Sequence, residues 1–305
     1  LGLKKYSFLD RLNYLNKLEG KMNHESQWED LFRDLKIDCK NCFGLCCVSL
    51  YFSKSEGFPT DKEAKKPCIN LEPDFRCKVH SKLLDKGLKG CISYDCFGAG
   101  QKVSRDIYKE KDWLQNPELA NEIFEVFCII NKIHEMLWYL KSIFSAEELN
   151  GNPVKNELGR LIKETENLTN LNPSSILNID IVSQRYTVNS ILKKARDALI
   201  KGNTKVKNPP LGAIKEIAGR LDLVGRDLKK TRLNELDLAG ALLMAADVRG
   251  NNLKHTNLIG ADLRDADIRG TNLSKTLFIT QGQVNTAIGD STTILPPWID
   301  RPPNW

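Results

Sequence analysis

The chain has 305 residues, nine cysteines and a formal net charge of +6, and this length is sufficient for two or three domains. Basic and acidic residues are spread over the whole chain, without a basic stripe or an acidic field. We therefore predict neither nucleic-acid binding nor mimicry of DNA by an acidic surface. No apolar run approaches the roughly 18 residues of a membrane span, so no membrane association is predicted.

The N-terminus lacks the features of an export signal. Charged residues return at Asp10 and Arg11, which leaves no apolar core of signal-peptide length. We therefore expect a cytoplasmic protein whose thiols are reduced. In that compartment, clustered cysteines are more often metal ligands than disulfides. Disulfides and inert buried thiols are the alternatives.

Residues 1–36 are expected to be helical. Apolar residues recur there with the spacing of a helix face, in two stretches on either side of Ser26. These positions are Phe8, Leu12, Leu15, Leu18, Trp28, Leu31, Phe32 and Leu35. We expect these helices to cover the cysteine-rich region that follows.

Eight of the nine cysteines lie within residues 38–105 and open with the pattern CxxCxxxCC. The region is rich in Gly, Pro and Lys, and its one strand-like apolar run is at 48–52. A core this small commonly needs metal or disulfides for stability. We predict that all eight thiols are metal ligands, namely Cys39, Cys42, Cys46, Cys47, Cys68, Cys77, Cys91 and Cys96.

The spacing of the thiols limits the kind of metal site. Adjacent Cys46 and Cys47 are expected to point in different directions, which favours a polynuclear cluster or two sites. Eight thiolates suit either zinc or an iron–sulfur cluster as the cofactor, and their number slightly favours iron–sulfur. His80, three residues after Cys77, is a ligand candidate or a surface histidine. Cys128 lies on the apolar face of a predicted helix and is expected to be a core thiol.

Residues 116–202 have an all-helical pattern. A long helix is predicted to begin at Asn116, followed by Pro at the first helical position, and to stop at Gly151. Further helices are predicted at 153–168 and 173–201, and a polar linker at 201–210. His134 and Glu135 begin a string similar to the zinc-protease motif HExxH, but Trp138 occupies the position of the second histidine. No catalytic residue is assigned.

Residues 221–280 contain an internal repeat with a period of five residues. Each unit has an apolar centre, often with a small residue two positions earlier and Asp or Asn just before the centre. A period of five fits neither a helix nor a strand, so the chain must turn a corner every five residues. The centres are Leu223, Leu228, Leu233, Leu238, Leu243, Val248, Leu253, Leu258, Leu263, Ile268, Leu273 and Phe278.

These units resemble the pentapeptide-repeat family, most closely at the segments ADLRD (261–265) and ADIRG (266–270). The resemblance implies a right-handed, four-sided β-helix with four pentapeptides in each coil and three coils in the rod. The central and small residues then point inward, and the polar residues point outward. Solenoid ends need caps, and we expect the helical region at one end and residues 281–305 at the other.

The cysteine pattern resembles a second family, the bacterial cysteine-cluster proteins described as chelating zinc or iron. The segment Cys91-Ile92-Ser93-Tyr94 reproduces that family's Cys-x-x-Tyr step, and Cys96 extends the set. The Arg-Pro pair commonly seen near the last cysteine is absent. The matching positions are Cys39, Cys42, Cys46, Cys47, Cys68, Cys77 and Cys91.

The sequence thus predicts a multidomain protein. A cysteine-rich metal module with leading helices occupies 1–110, an all-α domain with its linker 111–210, and the β-helix with its cap 211–305. The first functional hypothesis is a metal-binding accessory or scaffold protein whose solenoid face binds a protein or peptide. The alternative is a metalloenzyme that modifies a peptide or small molecule, and protection of a topoisomerase is a weaker third. The oligomeric state is left open.

Overall fold

The fold is seen in a computed structural model that describes residues 24–200 and 215–305, with side chains from residue 28 onward. Short helices, a helical bundle and a stack of parallel β-bridges follow one another along the chain. The predicted helix with Phe8, Leu12, Leu15 and Leu18 and the predicted linker at 201–210 lie outside the described residues.

The cysteine-rich region is built from short elements. Helices α1 to α4 span His24–Phe32, Leu45–Ser49, Lys89–Ser93 and Ala99–Gln101, and a π-helical stretch at Lys102–Ile107 continues α4. Between them lie 3₁₀ turns at Arg33–Leu35, Cys39–Asn41, Lys54–Glu56 and His80–Lys82.

The prediction of a strand at 48–52 is wrong. Gly44 has a φ of +65°, which favours glycine, and it starts α2, so Val48 is helical. Phe52 pairs with Lys62 in a single antiparallel bridge. Only Val48 and Ser49 of this run are helical, and Leu50 is extended. Periodicity does not separate a strand from a helical turn in so short a segment.

The middle of the chain is helical, as predicted, with four helices where three were expected. Helices α5 to α8 span Ala120–Phe144, Pro153–Leu168, Pro173–Leu177 and Ile181–Ile200, with 3₁₀ turns at Pro117–Leu119 and Glu147–Leu149. The single helix predicted at 173–201 is broken at Asp180. Its carboxylate accepts hydrogen bonds from the N–H groups of Val182 and Ser183 at 3.1 and 3.0 Å and so caps α8.

The start and end of α5 also differ from the prediction. The Asn116 side chain does not cap the helix, since its amide donates to the carbonyl oxygen of Asp112 at 3.0 Å. The helix ends at Phe144 rather than near Gly151. Its length still allows α5 to contact α6, α7 and α8 as well as the cysteine-rich region.

The C-terminal repeat forms a stack of coils joined by parallel β-bridges. Bridged residues are twenty positions apart, as in Asp222 with Leu242 and Leu242 with Asp262, so four pentapeptides make one coil. This agrees with the four-sided coil that the repeat implies. A small antiparallel pair, β1 (Glu216–Ile217) and β2 (Arg220–Leu221), precedes the first coil.

The interior of the rod contains the residues that the repeat predicts. The central Leu258 is fully buried, and the small positions carry Ala, Thr or Asn. The buried hydroxyls donate to carbonyl oxygens of the preceding coil, from Thr256 to Leu233 at 2.7 Å and from Thr271 to Val248 at 3.0 Å. Threonine is therefore compatible with the core, because its polar group is satisfied there.

The C-terminal segment extends the rod and returns to the N-terminal helix. Helix α9 (Gln281–Thr286) follows the last repeat, and Gln283 donates to two carbonyl oxygens of the rod at 2.8 Å each. Bridges to Ile288 and Ile294 add to the last coil. Trp298 stacks on Phe32 of α1, with ring centroids 5.1 Å apart.

The helices lie along a side of the rod rather than over its end, which differs from the expected cap. In the first coil, Arg196 of α8 donates to the carbonyl oxygen of Glu235 at 2.8 Å. Beside the last coil, Trp138 of α5 donates to that of Ile279 at 3.0 Å. The chain itself thus covers this side of the solenoid.

Buried apolar residues form a large cluster that runs from the cysteine-rich region through the helices into the rod. A second, small cluster within the cysteine-rich region has only four buried members, Phe52, Phe58, Val79 and Leu88. The domain boundaries near 110 and 210 stay predictions. Within the described ranges, no helix has the length and apolar character needed to cross a membrane.

Candidate functional site

A cleft of about 1310 Å³ lies between the cysteine-rich region, α5 and a side of the rod. The structure shows all nine cysteines as free thiols. Seven of the eight predicted ligands line the cleft, and Cys68 is the exception. The seven are Cys39, Cys42, Cys46, Cys47, Cys77, Cys91 and Cys96. The fold therefore gathers thiols that are far apart in sequence.

Four thiols border a small cavity of about 20 Å³, and we call them the inner group: Cys39, Cys42, Cys46 and Cys96. A cavity needs about 10–15 Å³ to hold one water-sized group, so this one has room for a single ion. Gly100 of α4 also borders it. A Cβ there would lie 2.6 Å from the Sγ atom of Cys42, so the close approach of α4 requires glycine.

Hydrogen bonds hold the loop with the first two cysteines against α4. The Gln101 side chain accepts from the N–H of Asp38 at 3.2 Å and donates to the carbonyl oxygen of Lys36 at 2.6 Å. Ser104 accepts from the N–H of Phe43 at 3.0 Å. These hydrogen bonds hold the segment around Cys39 and Cys42 next to the segment that follows Cys96.

The other four thiols form the outer group: Cys47, Cys68, Cys77 and Cys91. The N–H of Cys68 donates to the carbonyl oxygen of Cys47 at 3.0 Å, which brings Cys68 next to the CxxCxxxCC motif. Cys68, Cys77 and Cys91 all pack against the small apolar cluster. That cluster therefore positions three of the four outer thiols.

The two groups meet at α2. The Sγ atoms of Cys46 and Cys47 are 3.9 Å apart, although the two side chains leave successive positions of α2. Sulfurs of one tetrahedral zinc site are about 3.8 Å apart, given Zn–S bonds of about 2.3 Å. The distance is thus compatible with one shared centre or with two neighbouring ones.

The pKa values of Cys47, Cys77, Cys91 and Cys96 are raised, which keeps these thiols protonated near neutral pH when no cation is present. Burial raises the pKa of Cys91 and of Cys96 to about 12. The pKa of Cys47 is raised first by its hydrogen bond with Cys46, and that of Cys77 by its hydrogen bond with Cys47. Thiols of this kind are poor nucleophiles until a cation stabilises the thiolate.

The ammonium group of Lys62 is held beside the outer group, and sequence reasoning missed it because no pattern marks it. It donates to the carbonyl oxygens of Val48 at 3.2 Å and Lys66 at 2.7 Å. Burial lowers the pKa of Lys62, while the nearby thiols of Cys68 and Cys47 act in the opposite direction. The ammonium is placed to offset part of the negative charge of bound thiolates.

The thiols are not arranged as a closed metal site. In the part of the chain that the structure describes, no group of three or more His, Cys, Asp or Glu side chains is arranged to hold a metal. The donor types fit zinc and iron–sulfur clusters, which both take thiolates, and the small cavity leaves space for an ion. Binding would therefore need several thiols to come closer together.

The remaining ligand candidates have different surroundings. His80 is exposed on its 3₁₀ turn and lines the cleft. Cys128 is partly buried on α5 and packs against the large apolar cluster, as expected of a core thiol. His134 is buried, and its Nδ1 atom lies 2.7 Å from the carbonyl oxygen of Phe97, so it has a structural hydrogen bond.

Polar groups that sequence reasoning missed line the α5 side of the cleft. The hydroxyl of Tyr94 donates to Asn131 at 3.0 Å, and that of Tyr139 donates to Glu135 at 3.1 Å. Burial raises the pKa of Asp95 to about 6. The Cys-x-x-Tyr step was the only signal in the sequence, and it marks Tyr94 alone.

Comparisons with known proteins identify the repeat and a similar protein. Residues 241–278 match the family description "Pentapeptide repeats", in eight copies. The chain is 43% identical over 277 residues to "Uncharacterized protein YybG" of Bacillus subtilis (strain 168), which covers 91% of this chain and 97% of that protein. None of the solved structures matches.

Proposed function

We propose that this chain, which belongs to the family of YybG and carries pentapeptide repeats, is a metal-binding accessory or scaffold protein. The observation that carries the proposal is the convergence of distant cysteines as free thiols on one wall of a cleft. Thiols packed this closely repel one another once ionised, and a metal ion removes that repulsion.

The cofactor in this proposal is zinc or an iron–sulfur cluster. Both take thiolate ligands, and the eight cysteines supply enough for two four-thiolate sites. The cavity beside the inner group has room for one ion, so a single zinc ion fits there better than a cluster of several irons and sulfides. Lys62 would offset the charge of the thiolates beside it.

The partner in this proposal is a protein or peptide that binds a free side of the rod. A ladder of ion pairs follows one such side, from Asp247 through Arg249 to Asp267 and Arg269. The helices occupy a different side. A partner with an alternating pattern of charges would complement this ladder.

An enzyme is the second candidate, and the cleft is the observation that favours it. A concave site of about 1310 Å³ with thiols on one wall and Tyr, Asn and Glu side chains on another has the form of a ligand pocket. A metal ion with an open position toward this cleft would be accessible to a small molecule or peptide side chain.

Metal analysis after anaerobic purification tests the proposal. We expect stoichiometric zinc, or iron with sulfide and an absorption band near ~400 nm. Cys42→Ser should lower the bound metal by at least one ion per chain, because it removes an inner thiol. Cys128→Ser is the matched control and should leave the metal content unchanged. A metal-free wild-type protein would disprove the metal-binding function.

Metal affinity should rise steeply with pH. Burial raises the pKa values of Cys91 and Cys96 to about 12, so these thiols are protonated in the metal-free protein near neutral pH, and binding must release those protons. Each protonated thiol that becomes a ligand raises the affinity by about tenfold per pH unit below its pKa. Zinc titrations between pH 6 and 8 with a competing chelator would measure the slope, and an affinity independent of pH would contradict thiolate ligation.

A further inference from the structure

We propose that the eight thiols form two separate metal centres, an inner centre made by Cys39, Cys42, Cys46 and Cys96 and an outer centre made by Cys47, Cys68, Cys77 and Cys91. This inference rests on the proposed metal-binding function and adds to it the division of the ligands.

The inner centre is defined by the small cavity. Its four cysteines border that cavity, together with Ile37 and Gly100 and with Phe127 of α5. The space has room for one ion, and four thiolates complete the tetrahedral shell of a divalent ion such as zinc. A shell of four protein ligands leaves no open position, so the inner metal has a structural role.

The outer centre is defined by the small apolar cluster and by the Cys47 backbone. Three outer thiols pack against that cluster, and the Cys68 N–H donates to the Cys47 carbonyl oxygen. Neither Cys47 nor its three companions border the small cavity. Cys47, Cys77 and Cys91 line the large cleft, as the four inner thiols also do, so both centres border it.

The adjacent pair on α2 separates the two centres. Successive residues of a helix project about 100° apart, so Cys46 and Cys47 present their side chains to different surroundings although their Sγ atoms are 3.9 Å apart. Cys46 borders the small cavity. Cys47 is joined through its backbone to Cys68, beside the ammonium of Lys62. The two centres are therefore neighbours that share no ligand.

Pairs of substitutions test the division directly. Metal-free, reduced full-length protein would be titrated with Co²⁺, a coloured ion that replaces zinc in tetrahedral thiolate sites. The wild type should bind two ions. Cys46→Ser with Cys96→Ser removes two inner thiols, and Cys47→Ser with Cys77→Ser removes two outer thiols, so each double variant should keep one four-thiolate ion. Cys46→Ser with Cys77→Ser removes one thiol from each group and should keep none.

The same variants show which result would overturn the inference. If both same-group variants lose all four-thiolate absorption, the eight thiols form a single cluster. If the wild type binds one ion, the division is likewise wrong, while metal binding itself stands. A wild type that binds no ion overturns the proposed function as well. Hydrogen exchange in peptides from residues 38–105 shows whether the cysteine-rich region of each variant is folded, and Cys128→Ser should behave as the wild type.

Discussion

Removing the metal should unfold much of the cysteine-rich region, at about residues 50–90, and leave the helices and the rod folded. The apolar cluster within that region has four buried members. The thiols of Cys68, Cys77 and Cys91 pack against it but are only partly buried. So small a core seldom holds a fold by itself. In small metal-dependent domains, zinc binding to structural thiolate sites supplies about 10–16 kcal/mol of folding free energy at neutral pH. Removing the metal removes this stabilisation.

Hydrogen exchange with and without a chelator measures this effect. Amide protection in peptides from residues 50–90 should fall by about 100-fold or more once the metal is removed, since the local folding free energy then approaches zero. Peptides from residues 241–278 serve as the internal control, because the rod has its own buried core and hydrogen-bonded coils. Unchanged protection in the cysteine-rich region would show that its fold does not depend on metal.

The rod could be predicted from sequence because its constraint is local and repeated. Every five residues an apolar centre must enter the same narrow interior, and the bridges twenty residues apart reproduce that rule. The buried Thr256 and Thr271 also followed the pattern, since each can donate to the preceding coil. The handedness of the coil stays a prediction.

The cysteine-rich region was predicted less well, because tertiary contacts decide its structure. The thiols were recognisable as a set, yet their grouping depends on backbone contacts such as the one between Cys68 and Cys47, which no spacing rule contains. The run at 48–52 has the composition of a strand, yet its first two residues are helical because Gly44 starts α2. Lys62 and Asn131 carry no sequence signal at all.

The solenoid is also less free than the repeat alone suggests. The rod was expected to offer a face to a partner, and the structure shows that the chain uses parts of it for internal packing. Lys89 of α3 pairs with Asp265 of the rod at 2.7 Å, and Lys275 pairs with Glu148 at 2.6 Å. The rod therefore contributes to the placement of the cysteine-rich region, and the cleft exists because the two are held together.

Substituting Gly282 should separate the cysteine-rich region from the rod. Helix α9 packs against α3 there, and a Cβ on Gly282 would overlap the backbone carbonyl oxygen of Ser93. Backbone cannot move aside like a flexible side chain, so Gly282→Ala should cost about 1–3 kcal/mol of folding free energy. This exceeds the gain of about 1 kcal/mol that alanine has over glycine within a helix.

Gly159→Ala is the matched control, since Gly159 also lies within a helix, α6. A Cβ there would be 3.5 Å from the Phe144 ring, an ordinary contact, so this variant should gain up to about 1 kcal/mol from helix propensity. Denaturant unfolding of both variants measures the difference. Because α3 carries Cys91, Gly282→Ala should also weaken the outer metal centre and leave the inner one unchanged. Equal stability of the two variants would show that α3 and α9 are not held in contact.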